Sequence, residues 1–379
     1  MMSRTRILIA SMLLLVVFDS CKKEEHDELL TIPVDINTVT TLPLSEIVSE
    51  IEVVSLELTD NSLINIKKVR RVLYDDNYIL IHHAAPHSVM LFDRAGKFLR
   101  QIGTRGQGNE EYVSISDIAV DFKNRQVYIA SQHRLLCYDF DGNFIKDIFV
   151  STQGMPYSLN FVEYKLFFIG RDFGGMLEEG TRFFSSSLYQ VDKDFFQIDS
   201  TELKKVVNPQ MAWAQHHYND HITLCDSKIY QYEFEFNPEP SLRDTLFQLK
   251  GVERIPHLRL DFQISGVGAD GKRTLFLQNI YRSSRYVFAF YGLAEKNEYF
   301  SFCYDTQTSK GYCLKDGYVD NVKHNGIAVT IRPFIQNTEK FYYLVTDTGG
   351  NTVLNEEPNP TLYIGCLLYT SDAADEARS

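Results

Sequence analysis

Two stretches of the chain match position by position at a separation of 46 residues, and that match constrains the fold more than any other feature. Leu91-Phe92-Asp93-Arg94-Ala95-Gly96-Lys97-Phe98-Leu99-Arg100-Gln101-Ile102 reads as strand, turn, strand. Cys137-Tyr138-Asp139-Phe140-Asp141-Gly142-Asn143-Phe144-Ile145-Lys146-Asp147-Ile148 repeats it. The Asp starts each turn by bonding back to local backbone, and the Gly supplies the positive φ that closes it. Weaker copies run from Tyr189 to Phe196 around Asp192, and from Phe302 to Leu314 after Asp305. The interval between Asp192 and Asp305 leaves room for two units, and Asp244-Thr245-Leu246-Phe247-Gln248-Leu249 is expected as the outer strand of the unit between. Apolar runs expected as inner strands precede the turns: Tyr78–Ile81, Gln126–Ala130, Lys165–Gly170, Arg285–Phe290 and Phe341–Val345.

A four-stranded unit of about 45–55 residues is one propeller blade, and residues 50–366 divide into six units of about 53. The expected class is therefore all-β, a six-bladed β-propeller, with seven blades as the alternative. Closing the ring removes exposed strand edges. An early strand, such as Glu52-Val53-Val54-Ser55-Leu56-Glu57-Leu58, is expected to complete the last blade. The 26 Phe and 22 Tyr suit pleated, half-buried surfaces. No long amphipathic helix interrupts the pattern. The formal net charge of -12 argues against nucleic acid, since an acidic chain gains nothing by releasing phosphate counterions.

The N-terminus reads as a leader. Arg4 and Arg6 precede an apolar stretch from Ile7 to Phe18, too short to span a bilayer comfortably but suited to a signal-peptide core. Ser20-Cys21 at its end resembles the lipobox of bacterial lipoproteins, although Asp19 departs from the usual small or apolar residue. The resemblance implies that Cys21 is lipidated and the leader, residues 1–20, removed. Several acyl chains then anchor the protein firmly to a membrane. The charged run Lys22-Lys23-Glu24-Glu25-His26-Asp27-Glu28 cannot pack and reads as a tether over residues 21–31. It also resembles the signal that sends Bacteroides-type lipoproteins to the cell surface. An outer-membrane lipoprotein is expected, displayed on the surface or held on the periplasmic side. Residues 366–379 stand apart. Cys366 to Glu376 closely resembles translated sequencing-adapter read-through, so the natural chain is expected to continue differently after about Gly365.

The body, residues 32–365, resembles the six-bladed β-propeller lipoproteins of Bacteroides-type bacteria, related in blade pattern to the NHL-repeat propellers. Val54-Ser55-Leu56-Glu57 with Ser62-Leu63-Ile64, Phe92-Asp93 to Gly96-Lys97-Phe98, and Asp244-Thr245-Leu246-Phe247 carry the resemblance. So does the Gly-rich linker Gly103 to Tyr112, where Asn109 replaces the usual proline. The resemblance implies a fold and offers no catalytic residues.

Candidate chemistry is sparse. His82, His83 and His87, His133, and His216, His217 and His221 form three groups. On one strand His82 and His83 point to opposite faces, so only one of them can line a given pocket. A ring could still bring His82 or His83 together with His133 at its central channel, as metal-dependent propeller lyases do; the plainer alternative is polar loop or channel residues. The loop Gly103-Thr104-Arg105-Gly106-Gln107-Gly108 lacks the Lys-Ser/Thr and helix of a phosphate loop, so its glycines are expected to serve the crossing between blades. Arg105 and the Glu110–Glu111 pair are candidates for the channel mouth. No linear nucleophile or metalloprotease motif occurs, and no cofactor or metal is required. Five cysteines besides Cys21 do not make a disulfide framework. Cys303 and Cys313, flanking a turn centred near Thr308, are the one pair that could face each other; the alternative is two buried thiols. The expected function is a binding or interaction module at the cell envelope, with glycans, peptides or envelope proteins as ligands, in glycan or nutrient uptake. A metal-dependent lyase or hydrolase with its site in the central channel is the alternative.

Overall fold

The computed structural model describes residues 29–150, 154–176, 180–207, 220–233, 239, 241–346 and 359–369. The leader, Cys21 and the charged run to Glu28 lie outside these residues, as does the tail after Tyr369.

Alternation within each strand sends successive side chains to opposite faces. In this chain both faces are apolar, as in Ile79-Leu80-Ile81, so each sheet must be covered on both sides. A ring of sheets does that. Blade one comprises Val69–Tyr74, Tyr78–Ala84, His87–Asp93 and Phe98–Gln101, in that order from the axis outward. Blade two comprises Asp117–Asp121, Gln126–Ser131, Arg134–Asp139 and Phe144–Phe149. Blade three comprises Met155–Val162, Lys165–Met176, Arg182–Asp192 and Gln197–Val207. Blade four comprises Ile222–Cys225, Lys228–Gln231, Thr245–Lys250 and Glu253–Asp261. Blade five comprises Leu275–Arg282, Tyr286–Leu293, Glu298–Asp305 and Lys310–Leu314. Blade six takes Arg332–Phe334, Asn337–Val345 and Thr361–Leu367 from the end of the chain and Val48–Ser55 from its beginning. The architecture is the expected six-bladed propeller, and an early strand completes the last blade as expected. The only helical elements among the described residues are the short 3-10 turns Leu44–Glu46 and Ile66–Lys68.

The buried apolar residues fall into six clusters, one at each junction between neighbouring blades. Val127, Ile129 and Leu136, for instance, face blade one, whereas Tyr128, Leu135 and Cys137 face blade three.

The segment before blade one is a strap on the outer rim. Leu30–Pro33 adds a fifth strand, parallel to the outermost strand of blade four. Val39 then bridges Cys313 of blade five, and Val48–Ser55 closes blade six. The Asp244 run, expected as an outer strand, is the third strand of blade four, because Glu253–Asp261 and the strap lie outside it.

The two matched hairpins occupy equivalent places, joining the third and fourth strands of blades one and two. Lys97 N–H donates to Asp93 Oδ1 at 2.9 Å, and Asn143 N–H donates to Asp139 Oδ1 at 2.8 Å. Blade three repeats this with Phe196 N–H and Asp192 Oδ1 at 3.0 Å, Phe195 taking the positive φ in place of glycine. Cys303 and Cys313 do not face each other. The register pairs Cys303 with Tyr312 and Phe302 with Cys313, so the turn is centred half a residue short of Thr308. That half-residue sends the two thiols to opposite faces. Cys303 packs in the cluster between blades five and six, Cys313 in that between blades four and five, and both are free.

Gly96 and Gly142 share the left-handed conformation, φ +88° and +86°, but not their surroundings. A Cβ on Gly96 would stand 2.2 Å from the Ser55 carbonyl oxygen of the closing strand, whereas on Gly142 the nearest atom is 3.3 Å away. Gly142→Ala should cost about 1–2 kcal/mol from backbone strain alone. Gly96→Ala should add about 1–3 kcal/mol by pushing the closing strand away. Urea midpoints of the two variants measure the difference; equal losses would show that Gly96 does not abut the closure.

Candidate functional site

A propeller presents the inner edges of its first strands to the axis, where backbone N–H and C=O groups lack a sheet partner. Here side chains supply the partners. Arg71, fully buried, places Nη1 3.1 Å from the Ile118 carbonyl of blade two and 2.6 Å from that of Leu159 in blade three. The same Nη1 lies 2.9 Å from Asp117 Oδ2, which also accepts from Leu159 N–H at 2.7 Å. Asn160 Nδ2 donates to Ile222 O of blade four at 2.9 Å and reaches Ile335 O of blade six. Arg332 donates to the carbonyls of Val69 and Arg70 and lies 3.8 Å from Asp220. Burial pushes the Asp117 carboxyl up to about 7, against the pull of Arg71 and the Leu159 N–H.

One end of the axis is plugged. The turn between the first two strands of blade six carries Ile335 and Gln336 inward. Ile335 O accepts from Leu224 N–H at 2.8 Å, and Gln336 Nε2 donates to Val120 O at 3.1 Å. This is the face that carries the Asp-Gly hairpins. On the opposite face, where the chain crosses between blades, Asp220, Asn279, Tyr318 and Arg332 bound a small, narrow cavity.

The junction of blades three and four changes character toward that crossing face. Near the hairpin face it is apolar, with Phe167, Ile169, Leu188 and Ile229. Higher up it holds a buried charge cluster. Glu233 Oε1 lies 3.2 Å from Lys204 Nζ, 3.5 Å from Arg171 Nη2 and 3.2 Å from the Ser186 hydroxyl. The Arg171 guanidinium stacks 3.4 Å from the centre of the Tyr157 ring, which tilts against His221. Burial opposes ionisation of Glu233, but Lys204, Arg171 and His221 outweigh it and hold the carboxyl at about 2. Burial also pushes Lys204 down to about 8, despite the carboxylate beside it.

Among the described residues, His82, His83, His87 and His133 do not converge on a channel site. His82 and His83 point to opposite sides of blade one, as strand alternation requires. His82 is fully buried, its two ring nitrogens without hydrogen-bond partners, and burial followed by Arg71 pushes its pKa well down. His83 is a structural link: Nε2 accepts from Asn65 N–H at 3.2 Å, which leaves Nδ1 to donate to Pro86 O at 3.2 Å. His87 Nδ1 accepts from Ile115 N–H at 3.2 Å. His133 lies between the second and third strands of blade two and packs on Phe149 of the outermost strand, away from the axis. His216 and His217 lie outside the described residues. The one group of metal-type donors among the described residues, Cys225, Asp226 and Glu339, contains no histidine. Arg105 is exposed on the crossing face, its Nε 3.3 Å from Val113 O. The glycine loop cradles an anion of its own: Gly108 N–H donates to Glu111 Oε2 at 2.8 Å, and a Cβ on Gly106 would meet that oxygen at 1.9 Å.

Sequence reasoning did not single out Arg71, Asp117, Asn160, Arg171, Lys204, Glu233 or Arg332. Their partners come from other blades, which no local pattern announces. An Arg or Asn within a mainly apolar first strand, as at Arg71 and Asn160, was the available signal.

Arg71→Met should cost about 3–5 kcal/mol, since it strands Asp117 and two carbonyls without their donor. A change below 1 kcal/mol in urea unfolding would show that Arg71 does not hold the axis. Because Glu233 ionises more readily in the folded chain than its ordinary 4.5, its contribution is complete above about pH 4.5 and is lost as pH falls toward 2. Glu233→Gln should therefore be less stable at neutral pH and flatten the stability profile between pH 4.5 and 2.5. A parallel profile in wild type and variant would contradict the ion cluster.

Comparison with known proteins adds the following. The profile of a domain of unknown function, DUF4934, matches residues 29–364. A search of curated proteins finds no match. Among solved structures, a protein of Bacteroides fragilis described as exported superposes with a TM-score of 0.61 at 16% identity, over 90% of this chain and 100% of that one. A member of the DUF4221 family from Bacteroides vulgatus gives 0.44 at 10% identity, over 84% and 98%. The extracellular domain of a hybrid two-component system from B. thetaiotaomicron gives 0.41 at 12%, over 83% and 38%. At 16% identity the likeness to the B. fragilis protein is one of fold.

Proposed function

The chain belongs to the DUF4934 family, and on that premise we propose that it is an exported propeller, anchored by lipid at Cys21, that acts as a binding or interaction module at the bacterial envelope. Glycans, peptides and envelope proteins are the ligand classes. The observation that carries this reading is the use of the axial polar groups. Arg71, Asp117, Asn160 and Arg332 bond mainly to backbone and to one another, with one oxygen each of Asp117 and Asn160 left over. The candidate histidines are dispersed or structural, and the plugged axis has no wide central bore at the hairpin face. A channel enzyme needs convergent groups free to meet a substrate. What is left for recognition is the rigid platform of crossing loops and blade turns. The NHL-like kinship and the uptake role belong to the same proposal. The lipobox-like Ser20-Cys21 and the exported description of the B. fragilis protein support the placement.

Cys21→Ser should abolish labelling by a metabolically incorporated fatty acid and move the protein from membrane to soluble fractions. Retained label would refute the anchor. The combined change of His82, His83 and His133 to Ala should leave the metal content of purified protein unchanged; its loss would restore the channel-enzyme reading. Binding on an array of envelope and dietary glycans tests carbohydrate recognition directly.

A further inference from the structure

On the hairpin face, the first turns of blades four, five and six meet beside the axis. The Thr338 hydroxyl lies 3.2 Å from Leu224 O and 2.5 Å from Arg282 O, tying the three blades. Glu339, the next residue, is buried. Its Oε1 accepts from Ser284 N–H at 2.5 Å and its Oε2 from the Ser284 hydroxyl at 3.0 Å. Cys225 Sγ lies 3.4 Å from Glu339 Oε1 and 3.6 Å from Asp226 Oδ2. The three donor atoms all stand within 4.8 Å of one another. A tight turn fixes two of them: Cys225 pairs with Lys228, and Asp226 and Ser227 take left-handed φ values of 48° and 59°.

This arrangement is short of positive charge. A thiol carries one proton, so Cys225 can donate to only one of the two carboxylates. The other contact sets sulfur lone pairs against an anion. The Arg282 guanidinium acts on Cys225 only from a distance, its N–H groups being donated to Ser283 O and Ser284 O and turned to His257. A tetrahedral cation with one thiolate at about 2.3 Å and carboxylate oxygens at about 2.0–2.2 Å holds sulfur and oxygen roughly 3.6 Å apart. The observed 3.4 Å and 3.6 Å match that spacing. We propose that Cys225, Asp226 and Glu339 bind one thiolate-accepting divalent cation, zinc in particular, with the fourth position open on the side of exposed Asp226. Binding releases the Cys225 proton to solvent, forms one metal–sulfur and two metal–oxygen bonds, and leaves the Ser284 hydrogen bonds to orient Glu339 as an outer partner. The thiolate disfavours magnesium and calcium. The ion would fasten the turn of blade four to the second strand of blade six across the turn of blade five.

The test is titration of chelator-treated full-length protein with zinc by calorimetry and with cobalt by absorbance. One equivalent of cobalt should give a thiolate-to-metal charge-transfer band. Because one thiol proton leaves per ion, affinity should rise about tenfold per pH unit between pH 6 and 8. Cys225→Ser should abolish the band and weaken zinc about 100-fold or more. Asp226→Asn is the safer variant, since Asn tolerates the left-handed turn. It should leave the melting temperature of the metal-free protein unchanged and weaken zinc about tenfold or more. Cobalt binding without the band, no zinc binding at millimolar concentration, or equal zinc affinity in wild type and Asp226→Asn would each overturn the site.

Discussion

Six first strands bring six unpaired edges to a single axis, and every backbone group on them needs a partner in a space that admits little water. The rest of the structure is organised around that requirement. Arg71 reaches two carbonyls of two other blades, Asn160 reaches two more, and Arg332 and Thr338 each serve two. A buried charge is tolerable when most of its hydrogen bonds are filled, and main chain fills many of them here, although Asp117 Oδ1 and Asn160 Oδ1 are left without a partner. The polar axis is thus a structural device first. Its composition alone says nothing of catalysis.

Away from the axis the described junctions are mainly apolar, and the one between blades three and four departs furthest from that pattern. Between blades three and four the chain exchanges Ile and Leu for Arg171, Lys204 and Glu233 as it rises toward the crossing face. Such a cluster forgoes hydrophobic area for directional bonds, and it is costly to leave half-paired. A single proton on Glu233, taken up only as pH falls toward 2, leaves two buried cations facing each other.

What was legible in the sequence was local. The Asp-Gly hairpins declare themselves because the turn's chemistry lies within five consecutive residues, and the structure repeats their hydrogen bonds almost unchanged in three blades. The apolar second strands were legible for the same reason, and the closing strand followed from the arithmetic of blades. What was not legible depends on register and on blade-to-blade contact. Cys303 and Cys313 miss each other by half a residue in the turn centre. The Asp244 run is one strand further in than expected because the strap adds a layer outside it. Arg71 meets Leu159 across 88 residues, and Cys225 meets Glu339 across 114, and no spacing rule connects such positions. His133 looked equivalent to His82 because both end second strands, but at a turn the chain has already left the axis.

The closing strand has a temporal consequence. Ile51 and Gly365 pair across 314 residues, so the closing strand of the ring leaves the ribosome long before its partner. Until Thr361–Leu367 has been made, Val48–Ser55 has no neighbour in its own sheet. Throughout synthesis the chain therefore carries an unpaired β edge near its front end, open to any strand that arrives first. Assembly of the circle is correspondingly slow, because its decisive contact joins residues more than 300 positions apart.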